Sequence, residues 1–237
     1  MSTLTRPDRL GRLLDVACGA GNFALELVQE IGGLRELVAI DSSQSALEAA
    51  RDALASLPHQ LHTMAGEHLD FPNGGFDTVS IAHSLHHLAD PDMVLKEMRR
   101  VLRPGGWLVV QEMYRDTEDP AARTHVELHH WWAAVDRSRS VQHNETFPRE
   151  SLVSLLNNMP GVSWLVEDRI DADSNPFNPE LKEHLEPVIA RYQAWCDDSP
   201  EGRALFDRGE RLREQLARHG FRSAPALRAW GRREEAR

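Results

Sequence analysis

The chain has 237 residues, 41% of them apolar, and a formal net charge of -10. This length suits one large domain, or one domain with an appended helical part. The acidic balance argues against a general nucleic-acid binder, and no stretch approaches the ~20 consecutive apolar residues of a membrane span.

The N-terminal MSTLTRPDRLGRLL has no apolar core and no small-residue cleavage site, and Cys18 and Cys196 suggest no disulfide framework. A cytoplasmic setting is the expectation. RLLDVA (12–17) reads as a buried strand. It runs into CGAGNFA, where Gly19, Gly21 and Ala24 fit G-x-G-x-x-G/A, a loop that lets a nucleotide approach a helix N-terminus. A helix over 22–31 follows and ends at Gly32-Gly33. LVAI (37–40) is a second strand closed by Asp41, 43–57 an Ala/Leu-rich helix, HQLHTMA a weaker third strand and FDTVSIA (76–82) a fourth. Asp90-Pro91 starts a helix as N-cap and first helical residue, with Val94, Leu95, Met98, Val101 and Leu102 on its buried face. Arg103-Pro104-Gly105-Gly106 ends it, and WLVVQEM (107–113) is a fifth strand.

Strands alternating with helices predict an α/β fold: a Rossmann-like, seven-stranded, mostly parallel sheet with helices on both faces. Beyond Tyr114 the rhythm changes. The expected parts are 1–114, the cofactor-binding half; 115–147, a helical insertion and lid; 148–173, a helix and strand returning to the sheet; 174–220, a second helical insertion serving as lid or oligomer contact; and 221–237, the last strand and tail, with a homodimer as a candidate assembly. Ligands of such sheets bind beyond the carboxyl ends of the strands, which directs attention to the residues following each strand.

The glycine loop alone is ambiguous, because Asp41 would suit the ribose diol of a nicotinamide cofactor or of S-adenosylmethionine. Asp15, at the end of the first strand, is unwelcome beside a pyrophosphate but suits a ligand carrying an ammonium and a sulfonium. No second nucleotide-binding half is apparent downstream.

LLDVACGAG, then Asp41, then AGEHLDFPNGGFDTVSIAHSLHHLADPDMVLKEMRRVLRPGGWLVVQE, closely resembles the class I S-adenosylmethionine-dependent methyltransferases, and most of all the ubiquinone/menaquinone C-methyltransferase-like group. The resemblance covers 12–114 well and 148–170 weakly. It implies Asp15 near the methionine ammonium, Ala17, Gly19 and Gly21 as close backbone approaches, Asp41 on the ribose hydroxyls, Ser42 beside the adenine, Gly66 and Glu67 along the adenine edge, and His83 near the methionine moiety. Ala65 stands where the family often has an Asp. The first strand starts near residue 12, so cover for the site is expected from 115–147 and 174–220.

Methyl transfer needs alignment and exclusion of water, and a base only where the acceptor must lose a proton. His83, His86 and His87 are the candidates for that role; the alternative is a turn whose imidazoles bond to backbone. In THVELHHWW (124–132), His125 and His129 are four apart on one helix face and could bind a divalent metal with His143, with Glu145 also near. Two other readings stand beside this one: a lid helix whose Trp131, Trp132 and Val135 pack on the sheet, and a pocket in which His129 and Trp132 hold a planar acceptor. Glu112 and Tyr114 end the fifth strand within reach of an acceptor. The expected function is methyl transfer to a small-molecule acceptor; the alternatives are a non-catalytic module binding the same cofactor, or an RNA or protein methyltransferase.

Overall fold

A computed structural model describes residues 4–235. The extreme ends of the expected segments 1–114 and 221–237 lie outside the described residues.

The first half is a run of strand–helix units. β1 (Gly11–Val16), α1 (Asn22–Glu30), β2 (Leu34–Asp41), α2 (Gln44–Ala53), β3 (His59–Thr63), β4 (Phe76–Ala82), α3 (Pro91–Val101) and β5 (Leu102–Met113) follow in order. Each helix starts where local chemistry allows. Gly21, at φ 81°, makes the left-handed turn into α1. Ser43 accepts the Ala46 N–H at α2, and Asp90 accepts the Met93 N–H ahead of Pro91 at α3. Val94, Leu95, Met98 and Val101 form the buried face of α3.

β5 begins at Leu102 rather than at Trp107, where the Pro-Gly-Gly run suggested a clean break. Leu102 pairs with Phe76 and Trp107 with Thr78, and the intervening residues form a bulge. Asp77 holds this corner together. It accepts the Arg12 N–H at 2.7 Å and the Arg103 Nε–H at 2.6 Å.

The second half adds α4 (Pro120–Ser138), α5 (Arg149–Asn157), β6 (Val162–Arg169), α6 (Pro179–Ala194), α7 (Pro200–His219) and β7 (Ala226–Arg233). The sheet order is β3-β2-β1-β4-β5-β7-β6, parallel except that β7 is antiparallel to both neighbours. Strand order reverses between β1 and β4, and a crevice opens there beyond their carboxyl ends. One face of the sheet buries Leu14, Val16, Val38, Ile40, Val79 and Ile81 with α3 and α5. The other buries Leu13, Leu37 and Ala39 against Phe23, Leu27 and Leu47 of α1 and α2.

A third apolar cluster stands apart from the sheet. Leu128, Trp131 and Val135 of α4 pack on Leu185 and Ile189 of α6 and on Leu212 and Leu216 of α7. Trp131 and Val135 therefore face the other cap helices, not the sheet as the lid-packing reading expected. The Trp131 Nε1–H donates to the Leu205 carbonyl at 2.8 Å, which satisfies the polar atom of a fully buried ring.

Candidate functional site

Two non-glycine residues at the crevice adopt left-handed backbone: Ala17 (φ 50°) after β1 and His83 (φ 49°) after β4. Such conformations cost on the order of 1–3 kcal/mol each and cluster at ligand sites. Ser84 ties the two turns together, its hydroxyl lying 2.8 Å from the Ala82 carbonyl and 3.3 Å from that of Ala17. Gly19 is left-handed (φ 53°), and nothing lies within 4 Å of where a Cβ would project. Its backbone is open for a ligand to approach.

Asp41 links the loop to α2 by accepting the Gly19 N–H at 2.9 Å on one oxygen and the Ser43 N–H at 2.8 Å on the other. Ser42, between them in sequence, is exposed. The segment after β3 reaches the same end of the crevice. Met64 N–H donates to the Asp41 carbonyl, and Gly66 is seated against Val16 and Val94, with half-buried Glu67 next to it.

Asp15 is 1% exposed. One of its oxygens accepts the Ser80 hydroxyl at 2.6 Å, and the other has no hydrogen-bond partner among the described residues. Burial pushes this carboxyl up to about 7; the Ser80 bond opposes the shift and Asp41 adds to it. An unsatisfied buried carboxylate oxygen is costly unless something supplies a donor or a positive charge. The residues here fit a ligand with a cationic group. Cys18, within the loop, is buried, and burial raises its thiol far above the usual range, so it fills the turn as a neutral side chain.

Beside His83 lies a cavity of about 790 Å³. His83, His86 and His87 approach from β4, Gln111 and Met113 from β5, His125, His129 and Trp132 from α4, with 168–171 and 223–226 closing the far side. Arg228, 1% exposed in the middle of β7, organises one wall. Its Nε–H donates to Gln111 Oε1 at 2.6 Å, and its other nitrogens pair with Glu26 and Glu30 of α1. Because the Gln111 oxygen is taken, its amide nitrogen is what meets His83 Nε2 at 3.0 Å. His83 Nε2 is therefore an acceptor, and the neutral ring carries its proton on Nδ1. The surrounding protein lowers the His83 pKa, the Glu112 charge opposing, so the ring is neutral near pH 7.

Behind the cavity four histidines converge. His86, His87, His129 and His143 offer ligand nitrogens that all lie within 4.8 Å of one another. His129 Nε2 is 2.9 Å from His86 Nε2 and 3.3 Å from His143 Nε2. His86 Nδ1 faces Glu112 at 2.9 Å, and His143 Nδ1 faces Asp136 at 2.7 Å. Burial and the neighbouring imidazoles push His129 down to about 2, and burial also lowers His143 against the pull of Asp136.

The geometry corrects four expectations. His125 is not part of the cluster: its Nδ1 accepts the Ala224 N–H at 2.8 Å, one helical turn away from His129. Tyr114 does not line the cavity. Successive strand residues face opposite sides, so Met113 meets the cavity while Tyr114, 5% exposed, packs in the sheet core with Leu152 and Leu156. Glu112 is fully buried and holds protein groups rather than an acceptor, accepting the Leu85 and Met113 N–H groups and facing His86. His86 is bonded to side chains, and the backbone-bonded reading of its turn does not describe it. Gln111, Asp136 and Arg228 were not singled out from sequence. For Gln111 and Arg228 the available signal was a polar or charged residue inside an otherwise apolar strand, VVQEM and ALRAW; for Asp136, on α4, there was none.

Residues 14–110 match the family model described as a methyltransferase domain. A demethylmenaquinone methyltransferase of Staphylococcus aureus is 37% identical over 108 residues, 45% of this chain and 44% of that protein. A ubiquinone/menaquinone biosynthesis C-methyltransferase of Haemophilus ducreyi is 36% identical over 117 residues, 47% and 45% of the two chains. The chain thus matches less than half the length of these relatives. The structure of the YcgJ protein from Bacillus subtilis superposes over 97% of this chain and 94% of its own, with a TM-score of 0.57 at 19% identity, a likeness of fold alone. Among the described residues no helix is long and apolar enough to cross a membrane. Residues 14–110, less than half of the chain, are thus similar to a methyltransferase domain and to the ubiquinone/menaquinone C-methyltransferases.

Proposed function

We propose that the protein transfers a methyl group from S-adenosylmethionine to a small-molecule acceptor held in the histidine-lined cavity. The observation that carries this reading is the join between the two sites. Ser84 bonds the Ala17 turn of the glycine loop, and its neighbour His83 lines the cavity. When bound, the cofactor supplies a methyl group on a sulfonium, so the leaving group is already a neutral thioether.

This chain's residues do the rest. Asp15 offers its unpartnered oxygen to the positive charge, Ala17, Gly19 and Gly21 keep the backbone close, and Asp41 takes the ribose hydroxyls in exchange for part of its hold on Gly19 and Ser43. Ser42, Gly66 and Glu67 flank the adenine. The helical body of α4, α6 and α7 serves as the lid that keeps water out. His83 acts as a donor rather than a base: the Gln111 amide, itself oriented by Arg228, occupies its Nε2, and its Nδ1–H orients the acceptor.

The acceptor is a small molecule whose chemistry is set largely by residues of the second half of the chain. The cavity wall mixes imidazoles, Trp132, Asp168, Arg169 and Asp171 with Met113, Ile170, Ala224 and Ala226, and its α4, β6 and β7 residues lie outside the residues 14–110 that match the methyltransferase-domain model. A net charge of -10 also favours a small molecule over RNA.

Calorimetric titration with S-adenosylhomocysteine tests the cofactor assignment. One site per chain is expected, weakened at least about tenfold in Asp41→Ala, as befits loss of charge-assisted hydrogen bonds. Equal affinity in the variant would sink the assignment of Asp41.

A further inference from the structure

We propose that His86, His129 and His143 form a binding site for one divalent transition-metal ion, with His87 or a ligand in the cavity as the fourth donor. The argument is a count of protons. Both oxygens of Glu112 already accept backbone N–H groups, so the group facing His86 Nδ1 is an acceptor and that nitrogen must carry the proton. The same holds for His143 Nδ1 against Asp136, whose facing oxygen also accepts the Tyr192 hydroxyl. The Nε2 atoms of His86 and His143 are then lone pairs.

His129 Nε2 lies between them, 2.9 Å from one and 3.3 Å from the other. A single N–H there satisfies one neighbour and leaves the second facing it without a proton. A cation at the centre satisfies all three at once. The dimensions are near those of such a site, all the ligand nitrogens lying within 4.8 Å of one another. Tetrahedral zinc with nitrogen ligands at about 2.0–2.1 Å sets those nitrogens about 3.3–3.4 Å apart. The His129–His143 pair already has that spacing, and the His86–His129 pair needs to open by a few tenths of an ångström.

The outer groups also have the arrangement that metal-bound histidines use. A carboxylate on the far ring nitrogen fixes the tautomer and raises the basicity of the ligating one. Glu112 does this for His86, and Asp136 for His143. Neutral imidazoles with no thiolate suit zinc, iron, nickel or copper rather than magnesium or calcium. His86, His87 and His129 border the cavity, so the fourth position is open to it. On the methyl-transfer reading above, an ionisable oxygen or sulfur of the acceptor binds there as its anion, the nucleophilic form.

The test is a calorimetric titration of chelator-stripped protein with Zn²⁺, with Co²⁺ as an absorption probe of coordination. One ion per chain is expected, with the visible bands of a low-coordinate cobalt site. His129→Ala should abolish binding. Asp136→Asn, which keeps the size of the residue, should weaken it about 10–100-fold while the circular-dichroism spectrum is unchanged. No saturable binding by the folded, stripped protein, or the same affinity in both variants, would overturn the site. S-adenosylhomocysteine is titrated into the same stripped sample. Zinc binding without it upholds the metal site and removes the methyl-transfer reading; its binding without zinc does the reverse.

Discussion

Two buried carboxylates mark the two ends of the crevice, and they are treated in opposite ways. Glu112 on β5 is fully buried and saturated: two backbone N–H groups and the His86 ring converge on it. Asp15 on β1 is equally buried, yet one of its oxygens has no partner among the described residues. The first arrangement is a finished piece of architecture that fixes the turn after β4 and the orientation of an imidazole. The second is unfinished in the protein alone. The contrast separates residues that build the site from residues that await what it binds.

The sharpest way to break that distinction is to remove Glu112. Glu112→Ala would leave the Leu85 and Met113 N–H groups and His86 Nδ1 unpaired in the interior. Losing one side of a buried charged network costs about 3–5 kcal/mol, and each kcal/mol lowers Tm by about 2–4 °C in a chain of this size. Urea unfolding and a thermal melt measure both. A variant within about 1 kcal/mol of the parent would mean that Glu112 is not the keystone of this end of the crevice.

Asp15 predicts a dependence on pH rather than a loss. Its folded pKa, raised to about 7, exceeds the ordinary carboxyl value near 4, so between these values the folded state holds a proton that the unfolded state has released. Stability should therefore fall as pH rises from about 4 to about 7, by up to about 1.4 kcal/mol per unit from this group, and level off above. Asp15→Asn should remove that component. Affinity for S-adenosylhomocysteine should run the other way, rising with pH up to about 7 as Asp15 ionises. A parent and variant with identical pH profiles for both stability and affinity would put Asp15 on the finished side of the comparison.

The sheet could be read in the sequence because its signals are local. Alternating apolar runs, the Asp90-Pro91 cap and the glycine loop each act within a few residues. The start of β5 was harder to see, since Pro104-Gly105-Gly106 marks a break in sequence but forms a bulge that the Asp77–Arg103 contact folds back onto the sheet. The histidine cluster was half legible. The H-x-x-x-H spacing drew attention to α4, but which of its two histidines faces the cluster depends on how the helix docks, and His125 turns to the Ala224 backbone instead. His86 and His143 come from a turn after β4 and a loop after α4, and only tertiary packing brings them to His129. Arg228 shows the same limit: an arginine inside an apolar strand is a visible anomaly, but its partners Glu26 and Glu30 lie on a helix some 200 residues away.

The smallest expected effect concerns how firmly the cap is seated, and so how firmly the histidines of α4 are held. Gly209 sits in the middle of α7, where alanine would ordinarily favour the helix by about 1 kcal/mol. Here an added Cβ would lie 2.6 Å from the ring of Trp131 and 3.0 Å from Gln193. Overpacking of this kind costs about 1–3 kcal/mol, so Gly209→Ala should be neutral to destabilising by about 2 kcal/mol in urea unfolding. The ring cannot retreat easily, because its N–H is tied to the Leu205 carbonyl on the same helix. The strain should pass along α4 to His129, two residues from Trp131, and weaken Zn²⁺ binding by a few-fold without altering the β1–β4 end. A variant that gains the full helix-propensity benefit would show that α7 yields to Trp131, and the cap would then be a movable cover rather than a rigid support for the cluster.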